Sequence, residues 1–278
     1  MTTTAQRPDP ALESLLAFWR DAGVDALYEV EPVNRTRTQP APEVRLLARP
    51  APHASATPAS ARAPTDASAP IAEARRIAAA ARDLEELAAA IAGFESCPLR
   101  HEGARQSVFS RGRRDADIVV IGEAPGAEED AQGAPFVGRA GQLLDRMLSA
   151  AGLSDRVFIT NTVYWRPPGN RTPSSEEQAI CAPFVERTIT LIRPRLLLLV
   201  GAASAKSLLK RQEGILTLRG HWHEWSAEEG EIVVPALPTL HPAFLLRQPL
   251  AKKKAWADLL SLRERLDRET PQALQTET

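Results

Sequence analysis

Four short apolar runs after residue 115 constrain the fold more than any other feature of the sequence. Stretches with helical periodicity separate or follow these runs, at about residues 139–151, 175–192, 202–210 and 252–267. Near-continuous aliphatic strands that alternate with helices are typical of a parallel sheet covered on both faces. We therefore predict an α/β fold for residues 94–268, a three-layer α/β/α sandwich with a central, mainly parallel four-stranded sheet. The predicted strands are Asp117–Ile121, Val157–Thr160, Leu196–Val200 and Ile232–Leu240.

The residues on either side of this domain differ from it in composition. Residues 1–35 contain a short amphipathic pattern at Pro10–Ala22, which predicts a helical segment. Residues 36–70 are rich in Pro and Ala with almost no aromatic side chain, which is typical of a disordered linker. Residues 71–93 are rich in helix formers and predict a helix leading into the core, and residues 269–278 predict a disordered tail.

Composition and charge argue against a membrane protein and point to one segment that could bind a polyanion. The chain is 44% hydrophobic and 25% charged with a net charge of -1, and no apolar run approaches the roughly 18 residues that span a bilayer. The first residues lack a secretory signal pattern, so we expect a cytoplasmic location. Residues 241–256 contain Arg247 and Lys252–Lys254 but no acid. Such a run is either a surface for a polyanion or the solvated start of a helix.

Polar residues follow the predicted strands, and ligands bind outside the carboxyl ends of the strands in sheets of this kind. Glu123, Asn161 and His241 are therefore expected to converge at one edge. The sequence contains no P-loop, no GxGxxG and no GxSxG, which leaves hydrolysis by a bound water with help from a carboxylate and an imidazole. His221 and His223 could share a strand face and bind a metal, but no carboxylate or cysteine stands at a suitable spacing.

Asn161 is the most specific of these residues. A side-chain amide has one donor and one acceptor side, which match O4 and N3–H of uracil, whereas cytosine reverses both. A buried Asn would therefore reject cytosine, because polar groups would be left unpaired. The more ordinary role of an Asn at this point is to cap the turn after a strand.

Four segments, in order, resemble motifs of the family 4 uracil-DNA glycosylases, the iron-sulfur type, over about residues 94–267. They are GEAPG, PFVGRAG, TNTVYWRPPGNRTPSSEE and HPAFLLRQPLAKKKAWADL. The resemblance implies a monofunctional glycosylase of base excision repair that flips uracil out of DNA and hydrolyses its N-glycosidic bond. Its partner would be uracil-containing DNA, with no membrane, and we expect a monomer.

By motif, the resemblance also implies roles for individual residues. Glu123 would lie beside the uracil ring, with main-chain contacts from Ala124 and Pro125. Phe136 would stack on the base, although a core aromatic is the ordinary alternative. These roles, with Asn161 at O4 and N3–H and His241 at O2, make up the predicted substrate-binding set: Glu123, Ala124, Pro125, Phe136, Asn161 and His241.

Catalysis and DNA contacts are predicted in the same way. When the N-glycosidic bond breaks, negative charge develops on the departing uracil and positive charge on the sugar. A hydrogen-bond donor at O2 and a carboxylate near the sugar are needed to stabilise these charges. Glu129 is a further carboxylate for positioning water or stabilising charge, which gives the catalytic set Glu123, Glu129 and His241. Leu245, Leu246 and Arg247 are candidates for the wedge that enters the duplex. The predicted phosphate contacts are Arg166, Arg171, Lys252, Lys253 and Lys254.

The sequence departs from the family at its iron-sulfur cluster. The family uses four cysteines, but only Cys97 and Cys181 are present here, and Arg100 and Trp165 stand at the other two positions. Neither Arg nor Trp can replace a thiolate. We therefore expect no metal and no cofactor, with Trp165 and neighbouring apolar groups filling the place of the cluster.

Two alternatives remain open at this point. One is a non-catalytic relative that binds uracil or single-stranded DNA. The other is a glycosylase with a shifted base preference, such as hypoxanthine or xanthine. The presence of Glu123, Phe136, Asn161 and His241 together favours catalysis.

Overall fold

Six strands form one sheet at the centre of the computed structural model. In chain order they are β1 (Arg111–Gly112), β2 (Ile118–Gly122), β3 (Val157–Asn161), β4 (Leu196–Val200), β5 (His223–Ser226) and β6 (Val233–Thr239). Their order across the sheet is β1-β3-β2-β4-β6-β5. The four inner strands are parallel, whereas the edge strands β1 and β5 pair antiparallel with β3 and β6.

The predicted α/β sandwich is confirmed, but the predicted count of four strands is wrong. The four apolar runs form the parallel part of the sheet, and the two edge strands were not predicted. Strand β1 has only two residues, and β5 reads HEWS with a single buried side chain, Trp225. An edge strand that is partly solvated needs no continuous apolar run, so the pattern that identifies buried strands does not detect it.

The structure describes residues 67–227 and 232–268, all within one compact unit, Arg62–Thr278. The predicted N-terminal helical segment, the linker up to residue 66 and the tail at 269–278 lie outside the described residues. The last three residues of the predicted linker, 68–70, belong to the first described helix.

Ten helices accompany the sheet in these two ranges. They are α1 (Ser68–Ala80), α2 (Leu84–Gly93), α3 (Pro98–His101), α4 (Ala127–Gln132), α5 (Arg139–Ala150), α6 (Ser175–Ile192), α7 (Ala202–Leu209), α8 (Ile215–Leu218), α9 (Pro242–Arg247) and α10 (Lys252–Arg268). The helices predicted at 139–151, 175–192, 202–210 and 252–267 correspond to α5, α6, α7 and α10. No helix in the described ranges is long and apolar enough to cross a membrane.

The single helix predicted near residues 71–93 is two helices, α1 and α2. Asp83 begins the second, because its side chain accepts the backbone N–H of Glu86 at 2.8 Å. The end of the first is held by Arg187, which donates two hydrogen bonds to the carbonyl of Ala81. Capping of this kind satisfies the backbone groups that a helix end leaves free and stabilises the break.

Side chains of each inner strand alternate between two apolar layers. Val119 and Ile121 of β2 face one layer, which includes residues of α1, α2, α6 and α7. Ile118 and Val120 face the other, which includes residues of α5 and α10. Burial on both faces explains why the inner strands are apolar along most of their length rather than at every second position. It also leaves the ends of the strands as the place for polar side chains.

Candidate active site

A cleft of about 520 Å³ opens at the carboxyl ends of the parallel strands. The loop after β2 contributes Glu123, Ala124 and Pro125 to its wall, and the loop after β6 contributes His241. Phe136, in the loop between α4 and α5, completes this part of the wall. The structure therefore brings together five of the six residues predicted to bind the substrate.

Asn161 is the sixth, and it lies behind the cleft surface at the end of β3. Its side chain is 1% exposed, and its Nδ2 atom has no hydrogen-bond partner among the described residues. Asn161 pairs with Gly122 across β2 and β3. An unpaired amide in a buried position is unusual in proteins and calls for an explanation, because it loses its bonds to water. Turn capping does not supply one, since the donor is unused.

Gly122 makes this arrangement possible, and the sequence did not single it out. A Cβ atom at position 122 would lie 2.4 Å from Oδ1 of Asn161 and 2.5 Å from the ring of Phe136. Real Cβ contacts are not that short, so any side chain there would displace the amide or the aromatic ring. Both groups therefore pack against the bare backbone at the end of β2.

Phe136 is held in an uncommon backbone conformation. Its φ angle is 55°, in the left-handed region that costs free energy for a bulky residue. The side chain is 6% exposed, and its ring stacks on His241 with centroids 5.7 Å apart and planes inclined by 29°. Arg111 stabilises the strained segment by donating to the carbonyl oxygens of Pro135 and Phe136.

His241 begins helix α9, and its protonation state follows from its contacts. Its Nδ1 atom accepts the backbone N–H of Ala243 at 3.2 Å. Burial and, to a smaller degree, the positive charge of Arg247 lower the pKa of His241 to about 4, while Glu129 acts in the opposite direction. The ring is therefore neutral near pH 7, with its proton on Nε2.

Glu123 and Glu129, the two predicted catalytic carboxylates, have different surroundings. Glu123 is half-buried in the cleft wall, and its carboxylate has no hydrogen-bond partner among the described residues. Its carbonyl oxygen accepts the hydroxyl of Thr162 at 2.6 Å and the N–H of Val163 at 3.4 Å. Thr162 thus holds the backbone of this loop. Sequence reasoning missed it, although it stands next to Asn161 in the TNT motif.

The carboxylate of Glu129 is occupied by the backbone. It accepts the N–H groups of Gly126 at 3.1 Å, Val137 at 3.0 Å and Gly138 at 2.9 Å. These bonds join the loop after β2 to the loop that carries Phe136. A carboxylate used in this way positions the two loops, so the geometry favours a supporting role for Glu129 over the predicted water-positioning role.

The predicted phosphate contacts Arg166 and Arg171 also have protein partners. Arg171 lies in the cleft wall and forms a two-bond ion pair with the buried carboxylate of Glu177, at 2.6 and 2.8 Å. It also contacts Glu102 at 3.3 Å. Arg166 donates to Asn170 at 2.7 Å. Because Arg171 is paired with Glu177, the geometry supports an internal role in fixing the loop, and the phosphate contact of this guanidinium stays a prediction.

The predicted wedge residues separate into buried and exposed side chains. Leu245 is fully buried with Leu143, Leu240 and Ala255, so this conformation does not present it as a wedge, and its role stays a prediction. Its burial follows from the helical spacing of α9, which turns this side chain toward α5 and α10. Leu246 is 36% exposed and Arg247 lies in the cleft wall. Lys252, Lys253 and Lys254 form the exposed first turn of α10.

Cys97 and Cys181 lie together in the buried core. A hydrogen bond between the thiols lowers the pKa of Cys97 and, with burial, raises that of Cys181. The two other family positions hold unsuitable groups. Trp165 is 1% exposed among Phe94 and Tyr164, and Arg100 donates to the carbonyl oxygens of Ala92 and Phe94.

These residues do not fit a cluster held by four thiolates. Only two sulfur ligands are present, and aromatic side chains pack around them. In the part of the chain that the structure describes, no group of three or more His, Cys, Asp or Glu side chains is arranged to hold a metal ion, and this includes His221 and His223.

A buried network beneath His241 was also missed by sequence reasoning. Asp258 of α10 is 1% exposed, accepts the hydroxyl of Thr239 at 2.7 Å and forms an ion pair with Arg219. Arg219 also donates to the carbonyl of Lys254 at 2.9 Å. The network joins the end of β6, two residues before His241, to the first turn of α10.

The sequence of the chain is similar to those of known uracil-DNA glycosylases. A sequence model of the uracil DNA glycosylase superfamily matches residues 109–260. The type-4 uracil-DNA glycosylase of Pyrobaculum aerophilum is 38% identical over 182 residues, which cover 64% of this chain and 91% of that protein. The type-4 enzyme of Sulfurisphaera tokodaii is 37% identical over 65% of this chain and 84% of its own length. That of Thermotoga maritima is 41% identical over 55% of this chain and 77% of its own.

Proposed function

Because the chain belongs to the uracil-DNA glycosylase superfamily, we propose that it removes uracil from DNA by hydrolysing the N-glycosidic bond, in DNA repair. The target base is inside the double helix and must be turned out into the cleft before the bond can be reached. The roles of the individual residues follow from their contacts.

The observation that carries this proposal is the unpaired amide of Asn161. Its buried Nδ2 atom is a hydrogen-bond donor without a partner, so a ligand that supplies an acceptor there gains a bond at little desolvation cost. Uracil offers O4 as that acceptor and N3–H as a donor for Oδ1. Cytosine offers an amino group and an unprotonated ring nitrogen at the same places, and both would oppose like groups. Phe136, beside the amide, supplies an aromatic face for the base.

His241 is proposed to stabilise the departing base. Breaking the glycosidic bond leaves negative charge on the uracil ring, which is shared by O2. The Nε2–H group of His241 is a donor at the cleft wall, and its neutrality is maintained by the low pKa. Arg247 adds a positive charge near the same place, which favours the anionic base over the neutral one.

We assign to the carboxylate of Glu123 the stabilisation of the sugar and the orientation of the attacking water. Its side chain lines the cleft without a hydrogen-bond partner among the described residues, so it is available to a water molecule. A carboxylate here stabilises the positive charge that develops on the deoxyribose and orients water for attack on C1′. Thr162 and Glu129 hold the loops that carry Glu123 and Phe136.

The cleft also supports a monofunctional enzyme. A glycosylase that goes on to cut the strand uses an amine nucleophile to form a Schiff base, and no lysine lines the cleft in the described residues. The abasic strand should therefore stay intact, and borohydride should trap no covalent complex.

We propose, in addition, that the enzyme works without an iron-sulfur cluster. The four-thiolate set is incomplete, and the cysteine pair lies in the core rather than in the cleft wall. None of the roles proposed here for cleft residues requires a metal.

The experiment that tests the proposed function offers the protein oligonucleotides that contain uracil, hypoxanthine, xanthine or cytosine. Abasic sites are then detected as alkali-labile breaks. We expect breaks at uracil only. Breaks at hypoxanthine or xanthine alone would indicate a shifted base preference, and tight binding to uracil-containing DNA without any break would indicate a non-catalytic relative. Either result would overturn the proposal.

A further inference from the structure

The backbone beside Phe136 is held by two side chains of opposite charge. Arg111 donates from Nε to the carbonyl of Pro135 at 2.7 Å and from Nη2 to the carbonyl of Phe136 at 3.2 Å. Glu129 accepts the N–H of Val137 at 3.0 Å. The peptide group between Phe136 and Val137 is therefore bonded to a guanidinium at its oxygen and to a carboxylate at its nitrogen. Hydrogen bonds to charged groups are stronger than those between neutral groups.

These bonds are needed because the backbone of Phe136 is strained. Its φ angle of 55° lies in the left-handed region, which a bulky residue keeps only where the surrounding structure holds it. Helix α5 also packs directly on this segment, because a Cβ atom at Gly141 would overlap the carbonyl group of Phe136. Without Arg111, the peptide group can turn toward an ordinary backbone conformation, and the aromatic ring moves with it.

Arg111 is itself fixed by two elements of the fold. The edge strand β1 pairs it with Ile159 of β3. Its Nη2 atom also donates to the carboxylate of Asp145 in α5 at 2.6 Å. A guanidinium has several N–H groups in one plane, so it can serve the two carbonyls and the carboxylate at the same time. The short edge strand thus supplies a rigid donor to the loop that carries Phe136.

The ring that Arg111 positions lies in the cleft, whereas Arg111 does not. The Phe136 ring stacks on His241 with centroids 5.7 Å apart, and it packs beside the amide of Asn161. Among the described residues, those that line the cleft include Phe136 and His241 but not Arg111. Any effect of Arg111 on a base in the cleft therefore acts through Phe136.

We propose that Arg111 is a positioning residue for base binding, which holds Phe136 in the strained conformation that presents its ring to the extruded uracil. This inference rests on the proposed function. A base stacked on an aromatic side chain needs that ring at a fixed place beside the groups that read its edge. Because Arg111 acts only through Phe136, its loss weakens the binding of DNA with a base in the cleft and leaves the binding of base-free DNA unchanged.

The test measures the affinity of Arg111→Ala for two duplexes by fluorescence anisotropy. One contains uracil on a 2′-fluorinated sugar, which resists hydrolysis because the fluorine opposes positive charge on the sugar. The other contains a stable abasic analogue at the same position. We expect binding of the uracil duplex to weaken on the order of tenfold, the scale of one base stacked on an aromatic ring. Binding of the abasic duplex should change by less than about twofold.

Arg113→Ala is the matched control. Arg113 is two residues further along, is exposed, and forms its ion pair with Asp115. The control removes the same charge from the same segment but no bond to the loop of Phe136. Both affinities should therefore stay within about twofold of the wild-type values.

Added methylguanidinium provides a rescue experiment. Arg111 is partly exposed and lines a second groove of about 520 Å³, so a small cation can reach the place that its side chain leaves. Methylguanidinium chloride should restore much of the affinity of Arg111→Ala for the uracil duplex. Sodium chloride at the same concentration should not, and it corrects for the general effect of salt on DNA binding. Equal effects of the two salts would count against the proposal.

A double-variant cycle tests whether Arg111 acts through Phe136. In a Phe136→Leu background, Arg111→Ala should cause no further loss of affinity for the uracil duplex. If Arg111→Ala does not fold, as judged by circular dichroism, Asp145→Asn loosens the same guanidinium at an exposed position and should show the same selective loss. Additive losses in the cycle, equal losses on the two duplexes, or no loss in a folded variant would overturn the proposal.

Titration of His241 distinguishes this inference from the proposed function, because it requires no excision. Burial is the main cause of the low pKa of His241, and the Phe136 ring covers its imidazole. By NMR, Arg111→Ala should raise this pKa from about 4 toward the ordinary value of about 6.5, and Arg113→Ala should not. If this rise occurs but the wild-type protein releases no uracil, Arg111 still positions Phe136 and the proposed function fails. An unchanged pKa in Arg111→Ala would contradict the positioning role.

Discussion

The Nδ1 atom of His241 accepts the backbone N–H of Ala243, and this contact decides which face of the imidazole can act on a substrate. A neutral imidazole has one N–H group, which must then be on Nε2. The contact belongs to the first turn of α9, so the fold itself presents a neutral donor to the cleft. A neutral imidazole stabilises an anionic leaving group by donating a hydrogen bond from Nε2.

The titration of His241 provides the first prediction. Burial and Arg247 lower its pKa to about 4, so the ring should stay neutral as the pH falls to about 5 and gain a proton only below that. Arg247→Gln removes a nearby positive charge and should raise the pKa toward the ordinary value of about 6.5. NMR titration of the ring protons measures both. A wild-type midpoint near 6.5 would show that the ring is solvated or paired with an acid.

The second prediction concerns the bare backbone at Gly122. In Gly122→Ala, the new methyl group meets Asn161 and Phe136 at distances that neither can keep, so both should move. We expect uracil excision to fall on the order of a hundredfold or more, because misplaced recognition groups lose their alignment with the base. Circular dichroism and thermal unfolding report whether the fold is kept. Wild-type excision by a folded Gly122→Ala protein would show that these two side chains do not bind the base together.

Asn161→Asp is the third prediction, and it tests base selection. An ionised carboxylate has no donor for O4 of uracil, so the variant should lose uracil excision or begin to accept cytosine, whose amino group can donate to it. Excision from matched oligonucleotides that contain uracil or cytosine measures both rates. If the variant keeps full activity on uracil and still rejects cytosine, Asn161 does not read the base.

The fourth prediction separates the two carboxylates of the cleft. Glu123→Gln should lower the single-turnover rate on the order of a hundredfold, since it removes the charge assigned to the sugar and water. Glu129→Gln should instead lower the free energy of unfolding by about 1–3 kcal/mol, because an amide group cannot accept all three backbone N–H bonds. Urea unfolding and single-turnover kinetics are measured on both variants. The reverse pattern would assign the water to Glu129.

The architecture of the domain was predictable because burial leaves a strong pattern in the sequence. Strands such as Leu196–Val200 are covered on both faces and are therefore apolar throughout, and their carboxyl ends locate the cleft. The edge strands and the break at Asp83 were not predicted. The edge strands contain no apolar run. The break between α1 and α2 depends on one capping side chain, that of Asp83, which accepts the N–H of Glu86 and interrupts a sequence that is otherwise rich in helix formers.

The site was predictable where a residue directly follows a strand or belongs to a motif, as with Glu123, Asn161 and His241. Side-chain environment was not predictable. The sequence does not reveal that Leu245 is buried while Leu250 is exposed, or that Glu129 and Arg171 are already engaged by the protein. These differences arise from packing between segments that are distant in sequence, such as α9 against α5 and α10.

The fifth prediction concerns the buried thiols. We expect Cys97 and Cys181 to serve only as packed core side chains. Replacing both by Ala should then keep the rate of uracil excision within about threefold of the wild-type rate and lower the free energy of unfolding by about 1–3 kcal/mol per residue. Single-turnover kinetics and urea unfolding measure the two effects. If the thiols held an iron centre, the double variant should lose iron together with much of its stability.

The most direct test of the account measures uracil release by protein whose iron content is known. The purified chain is analysed for iron, and free uracil is quantified by chromatography after incubation with a uracil-containing single strand. We predict that the protein contains no stoichiometric iron and releases uracil, and that His241→Ser and Asn161→Asp each abolish or greatly slow this release. Release that occurs only in fractions with about four irons per chain, or no release of uracil by the wild-type protein, would contradict it.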